Sequence, residues 1–225
     1  MKTTRKKNFD AVLESRRWKE SVARKTEGMS RAELLEFFNS AHTASARQHG
    51  TAEETLILRE EPPKPQGPGM PPRLCLEATI PSYLVARPSR DVRLAADQLA
   101  AHEWWDERRH DYELFTSQTV LDEAMRDDPA FAAARRVQLA GVTLLSNLPE
   151  AAELAKRLLR DEIIPAVATD DATHIALSAH GMEYLLTWNC RHINNHRIRS
   201  RIEQACEASG MLCPDICTPA ELMSA

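Results

Sequence analysis

RLCLEAT at residues 73–79 decides how the chain is read: Leu74, Cys75 and Leu76 form an apolar run, and Glu77 follows it directly. A carboxylate placed straight after a buried strand is costly to desolvate unless it is paired or bound to metal. Four further short β-rich runs lie downstream, ELFTS at 113–117, VTLLS at 142–146, YLLTW at 184–188 and DICT at 215–218. Between them lie helical stretches at 91–110, 118–139, 149–180 and 191–209. Strands separated by helices of this length imply crossover connections and a mostly parallel central sheet covered on both faces, a three-layer α/β/α domain. In such sheets ligands bind beyond the carboxyl ends of the strands, so the polar residues just past each run are the ones to inspect.

Upstream, EEPPKPQGPGMPP at 60–72 marks a linker, because its prolines remove backbone donors while Gly67 and Gly69 loosen the chain. Residues 1–59 precede it as a helical appendage, and residues 73–225 follow as the main domain. In the appendage Phe9, Val12, Leu13, Trp18 and Val22 recur near helical spacing, and Ser30 leads RAELLEFF with Glu33 at the capping-box position. Two short amphipathic helices with so few apolar residues cannot build a core alone, so Trp18, Leu34, Leu35, Phe37 and Phe38 need a partner surface.

Composition narrows the classes. The 225 residues suffice for one full core plus an appendage. With 43% hydrophobic and 28% charged residues and no long apolar run, nothing in the sequence spans a bilayer. The start, MKTTRKKNFDAV, lacks the apolar stretch of a secretory signal, so a cytoplasmic protein with reduced thiols is expected for the 5 cysteines. Cys213 and Cys217, or His192 and His196, have metal-ligand character, but no CxxC repeats and no HExxH occurs. The net charge of −4 hides a basic segment: residues 1–25 carry nine Lys or Arg against three acids. A Gly-rich phosphate loop, GxGxxG and GxSxG are all missing.

The acids fall at the binding edge. Asp122 and Glu123 come shortly after ELFTS, Asp170 and Asp171 precede the helix body ATHIALSAHG, and Thr187 and Asn189 close YLLTW. Each has a plain structural reading: an N-cap for Asp170 or Asp171, a solvated helix face for Asp122 and Glu123. Together they form an acid cluster that is costly without a cation, and Mg²⁺ or Mn²⁺ prefers such oxygen ligands.

On LEATIPSYLVARPSRD, ELFTSQTVLDEA, DDATHIALSAHGMEYLLTWNCRHI and ICTPAELM, the stretch from Leu74 to Met223 resembles the PIN-domain family, in particular the ribonuclease toxins of bacterial toxin–antitoxin pairs. The resemblance implies an acidic cleft that chelates divalent metal and hydrolyses RNA. It makes Glu77, Glu123 and Asp171 the metal-binding acids, with Asp170 a less favoured neighbour of Asp171, and Thr79 the hydroxyl residue that orients Glu77. The fourth acidic position of the family, Asp in a Thr-X-Asp pattern, is here Asn189 after Thr187, which keeps an oxygen but removes a charge. The family commonly pairs through its helices, which implies a homodimer. Residues from NFDAVLESRRWKESVARKTEGMSRAELLEFFN are similar to the small antitoxin-like proteins encoded beside such toxins.

From these residues a mechanism follows as an expectation. Glu77, Glu123 and Asp171 hold one or two ions at the scissile phosphate, with Thr187 and Asn189 helping to bind it. Arg191, His192, Arg197, Arg199 and Arg201 supply phosphate contacts, or form a solvated helix face. Trp188 either stacks on a base or belongs to the core. Arg16, Arg17, Lys19, Arg24 or Lys25 reaches the acids while Trp18 docks nearby, restraining the site in cis. A linker this short keeps such an inhibitor at roughly millimolar effective concentration. Alternatively the same cations bind nucleic acid, operator DNA included. A rival expectation is a PIN-fold module, weakened at Asn189, that binds nucleic acid without cutting it.

Overall fold

The computed structural model describes residues 69–223 except 125, 127 and 128, together with the isolated helical positions Arg24 and Glu33. The remainder of the appendage, including Arg16, Arg17, Trp18, Lys19, Lys25 and the expected cap at Ser30, lies outside the described residues, as does most of the linker.

Five strands make one all-parallel sheet: β1 (Arg73–Leu76), β2 (Glu113–Ser117), β3 (Thr143–Leu145), β4 (Tyr184–Leu186) and β5 (Asp215–Cys217). Their order is β3-β2-β1-β4-β5. Eight α-helices accompany them among the described residues: α1 (Thr79–Val85), α2 (Val92–Glu107), α3 (Gln118–Ala124), α4 (Pro129–Gln138), α5 (Pro149–Arg160), α6 (Thr169–Ser178), α7 (Arg199–Ala208) and α8 (Pro219–Leu222). No described helix is long and apolar enough to cross a membrane.

The pleat divides the core in two, because successive side chains of a strand point to opposite faces. Leu74 and Leu76 of β1, with Leu186 and Cys217, pack against Ile80 and Leu84 of α1 and Trp104 of α2. Cys75, Phe115, Leu185 and Ile216 pack on the other side against Leu154 and Leu158 of α5, Ile175 of α6 and Ile202 of α7. Each fully buried Leu or Ile contributes roughly 2 kcal/mol of apolar burial, so both layers hold the sheet firmly. The expected three-layer α/β domain with a parallel sheet is the fold observed.

The order also sets where a ligand belongs. Chain connections run from β1 outward to β3, then return past β1 to β4, so the strand order reverses between β1 and β4. In the register Leu76↔Leu186, the residues just beyond that pair are Glu77 and Thr187. Glu77 continues the ladder by donating its N–H to the Leu186 carbonyl at 3.0 Å.

Several expected elements are cut differently. The stretch 149–180 is two helices, because Pro165 cannot supply a helical N–H and Glu162 takes a left-handed φ of 49°. The stretch 118–139 likewise divides into α3 and α4, the latter opening at a proline, which a first helical turn tolerates. In place of a helix from 191, residues 189–198 turn on asparagine side chains: Asn189 Oδ1 accepts from His192 N–H at 3.0 Å and Asn195 Oδ1 from Arg197 N–H at 3.0 Å. Thr79 begins α1 and does not extend β1. Asp170 and Asp171 are not N-caps either, since Ala168 occupies that position and both acids sit in the first turn of α6.

Candidate functional site

Glu77 is 3% exposed, and one of its oxygens is held from three sides. Oε2 accepts from the Thr79 N–H at 3.1 Å, from the Thr79 hydroxyl, and from the Thr187 hydroxyl at 2.7 Å. Each hydroxyl is itself fixed by a backbone donor past β4: Trp188 N–H reaches Thr79 Oγ1 at 2.8 Å, and Asn189 N–H reaches Thr187 Oγ1 at 2.9 Å. A hydroxyl that accepts from an N–H turns its own proton elsewhere, so both point theirs at Glu77. The strand ends β1 and β4 thus clamp one carboxylate oxygen, and among the described residues Oε1 accepts no hydrogen bond.

The pleat sends Glu77 to the same side as Cys75, toward α6. There His174, 2% exposed, turns inward from the middle of that helix. Its Nε2 stands 3.5 Å from Glu123 Oε2 on α3, near enough to feel the charge, yet it makes no hydrogen bond. One ligand atom from each of Glu77, Glu123 and His174 lies within 4.8 Å of the others. Burial pulls the His174 pKa down, but Glu123 beside the ring and the charges of Glu77 and Asp171 outweigh it, so the net direction is upward.

These donors fit a divalent cation on two counts. Two carboxylates brought this close repel unless a positive charge lies between them. A buried ring nitrogen without a partner is an uncommon and unfavourable state, which coordination relieves. Glu77, Glu123 and His174 therefore form a group able to bind a metal.

Asp171 belongs to a neighbouring polar set. Its Oδ1 accepts from Asn189 Nδ2 at 3.0 Å, and its Oδ2 accepts from His192 Nδ1 at 2.8 Å. A carboxylate oxygen can only accept, so the His192 proton sits on Nδ1. The amide of Asn189 is engaged at both ends, with Oδ1 on the His192 N–H. Asp170 turns away and pairs with Arg126 at 3.0 Å, and Asp122 is exposed, accepting from Gln118 Nε2 at 2.8 Å.

Of the expected metal ligands, the close group contains Glu77 and Glu123 with His174 in the place given to Asp171. His174 is the residue the sequence reading passed over. Its spacing of three from Asp171 puts both on one face of α6, and that was the available signal.

The expected phosphate-binding cations divide. Arg191, Arg197 and Arg201 are exposed, although Arg201 donates to the Asp161 carbonyl at 2.8 Å. Arg199 is not presented in the same way: its guanidinium donates to Asn194 Oδ1 and, at 2.7 Å, to the Ile216 carbonyl, tying α7 to β5. His192 is committed to Asp171 through Nδ1. Trp188 is half-buried, packing against the core and stacking on Tyr83, with ring centroids 5.9 Å apart at 15°.

Comparison with family models, with curated proteins and with solved structures returns no match for this chain.

Proposed function

We propose that the chain is a divalent-metal-dependent ribonuclease whose centre is Glu77, Glu123 and His174, with Asp171 acting beside them. The observation that carries this reading is the unpartnered Nε2 of buried His174, facing two carboxylates in the crevice where the strand order reverses. A cation bound there supplies Lewis-acid polarisation of a phosphodiester and acidifies the attacking water. Thr79 and Thr187 hold Glu77 in one orientation from behind, the kind of outer support on which metal sites depend. Asp171 orients His192 and Asn189 at the mouth of the site, where the Asn189 amide serves to position its neighbours.

RNA is the substrate proposed from the resemblance to PIN-family toxins and from the exposed Arg191 and Arg197 that follow β4. Mg²⁺ and Mn²⁺ are the ions that resemblance implies. The antitoxin-like segment restrains the site in cis through the cations around Arg16 to Arg24, and a homodimer is the assembly proposed. A second reading, a nucleic-acid-binding module that does not cut, draws on Asn189: its amide is engaged at both ends within the protein, and it leaves one carboxylate fewer at the rim.

Cleavage separates the two. Full-length protein incubated with a fluorescent RNA panel in Mg²⁺ or Mn²⁺ should cut, should stop in EDTA, and should stop in Glu77→Gln. RNA that is bound equally well with and without metal, and never cut, would establish the binding module instead.

A further inference from the structure

We propose that His174 is a metal ligand through Nε2, and that this nitrogen makes the centre selective for a first-row transition ion over Mg²⁺. The inference rests on the metal-centre reading above and specifies which ions it takes.

Three features of the site lead to it. His174 Nε2 is buried on a ring 2% exposed and has no hydrogen-bond partner. The carboxylate oxygen it meets, Glu123 Oε2 at 3.5 Å, is itself a ligand candidate, so the nitrogen points into the group and not away from it. Glu77 Oε2 is taken up by Thr79 and Thr187, which leaves Oε1 as its coordinating atom and limits Glu77 to a single bond to metal. The protein's contribution is thus one nitrogen and carboxylate oxygens, of which Glu77 gives one.

Donor chemistry does the rest. Mg²⁺ is a hard ion that prefers oxygen and water in near-ideal octahedral geometry. Imidazole binds first-row transition ions far better, with affinity rising along the series from Mn²⁺. A purely carboxylate site would hold Mg²⁺ and Mn²⁺ comparably, whereas one buried imidazole tips the balance. Mn²⁺ is the most stringent probe, because among the transition ions it lies nearest to Mg²⁺ in its liking for oxygen.

The test is pulsed electron paramagnetic resonance of Mn²⁺ bound to the full-length protein, read for coupling to a directly bonded nitrogen. The expected result is a ¹⁴N coupling that changes to the ¹⁵N pattern when the protein carries ¹⁵N-histidine, which needs no mutation and so carries no folding risk. The coupling persists in His192→Gln and disappears in His174→Gln, where Mn²⁺ affinity falls by more than about 100-fold, beyond the loss typical of outer supporting groups, while Mg²⁺ affinity changes less. Mn²⁺ whose binding depends on Glu77 but shows no histidine coupling, and which Mg²⁺ displaces at equal concentration, would overturn the proposal and leave the metal centre standing. If neither ion binds, or if Glu77→Gln binds both as the parent does, the metal-centre reading fails and takes this inference with it.

Discussion

The two ends of β1 treat buried charge in opposite ways. At the amino end Arg73, 5% exposed, meets Glu113 at 3.2 Å and lies over the Phe115 ring at 6.0 Å, while its backbone N–H donates to Glu183 at 2.6 Å. At the carboxyl end Glu77 is just as buried, yet no Lys or Arg among the described residues pairs with it. Its neighbours are Glu123 and His174, whose Nε2 makes no hydrogen bond. One end is neutralised by the protein itself. The other gathers two carboxylates around a buried imidazole nitrogen that makes no hydrogen bond, a group that could hold a cation. The difference separates a charge that holds the fold from charges grouped so that they could hold a metal.

Substitutions at the two ends should therefore fail in different ways. Glu77→Gln should lower metal-dependent RNA cleavage by more than about 100-fold, beyond the loss typical of outer supporting groups, while thermal melting shows the fold retained. Arg73→Met should do the reverse, lowering stability by about 2 kcal/mol in urea unfolding with metal affinity unchanged. That figure is set below the usual value for a broken buried pair, because Glu113 is partly exposed and can rehydrate. Equal effects on folding and metal binding from both variants would erase the comparison.

Thr187→Val removes one of the two hydroxyl donors to Glu77 Oε2 and should weaken metal binding about tenfold by calorimetry. Proton linkage at His174 should be smaller still. In metal-free protein its pKa is raised above 6.5, with burial opposing and Glu123, Glu77 and Asp171 prevailing. A raised folded-state value means that its stabilising contribution is complete below pH 6.5 and is lost as pH climbs through the folded-state pKa. In EDTA, the contribution of this group, read as the melting-temperature difference from His174→Gln, should shrink as pH rises above 6.5. Metal reverses the sign, since a coordinating imidazole must first lose its proton. Asp170→Asn, which breaks only the partly exposed pair with Arg126, should change stability by less than about 0.5 kcal/mol and leave cleavage intact.

The sheet was legible because buried parallel strands are short apolar runs, and RLCL, ELFTS, TLL, YLL and DIC all lie within the runs read as strands. Helix limits were less so. ELAKRLLR and THIALS each look helical, but the break between them depends on the left-handed turn at Glu162 and on Pro165. Glu77 stood out because a carboxylate after a buried strand is hard to explain otherwise. His174 did not, since a histidine within an apolar helix reads as core, and only the fold brings it against α3 and β1. Arg199 misled in the opposite sense: a sequence does not say whether a guanidinium faces solvent or, as here, the Ile216 carbonyl.

A cation at the carboxyl end of β1 is tested most directly by anomalous diffraction from crystals of the full-length protein grown with Mn²⁺. A single strong anomalous peak bounded by Glu77, Glu123 and His174, absent from Glu77→Gln crystals, is the expected result. A peak held only by Asp171 and Asn189, or none at a concentration that supports cleavage, would contradict it.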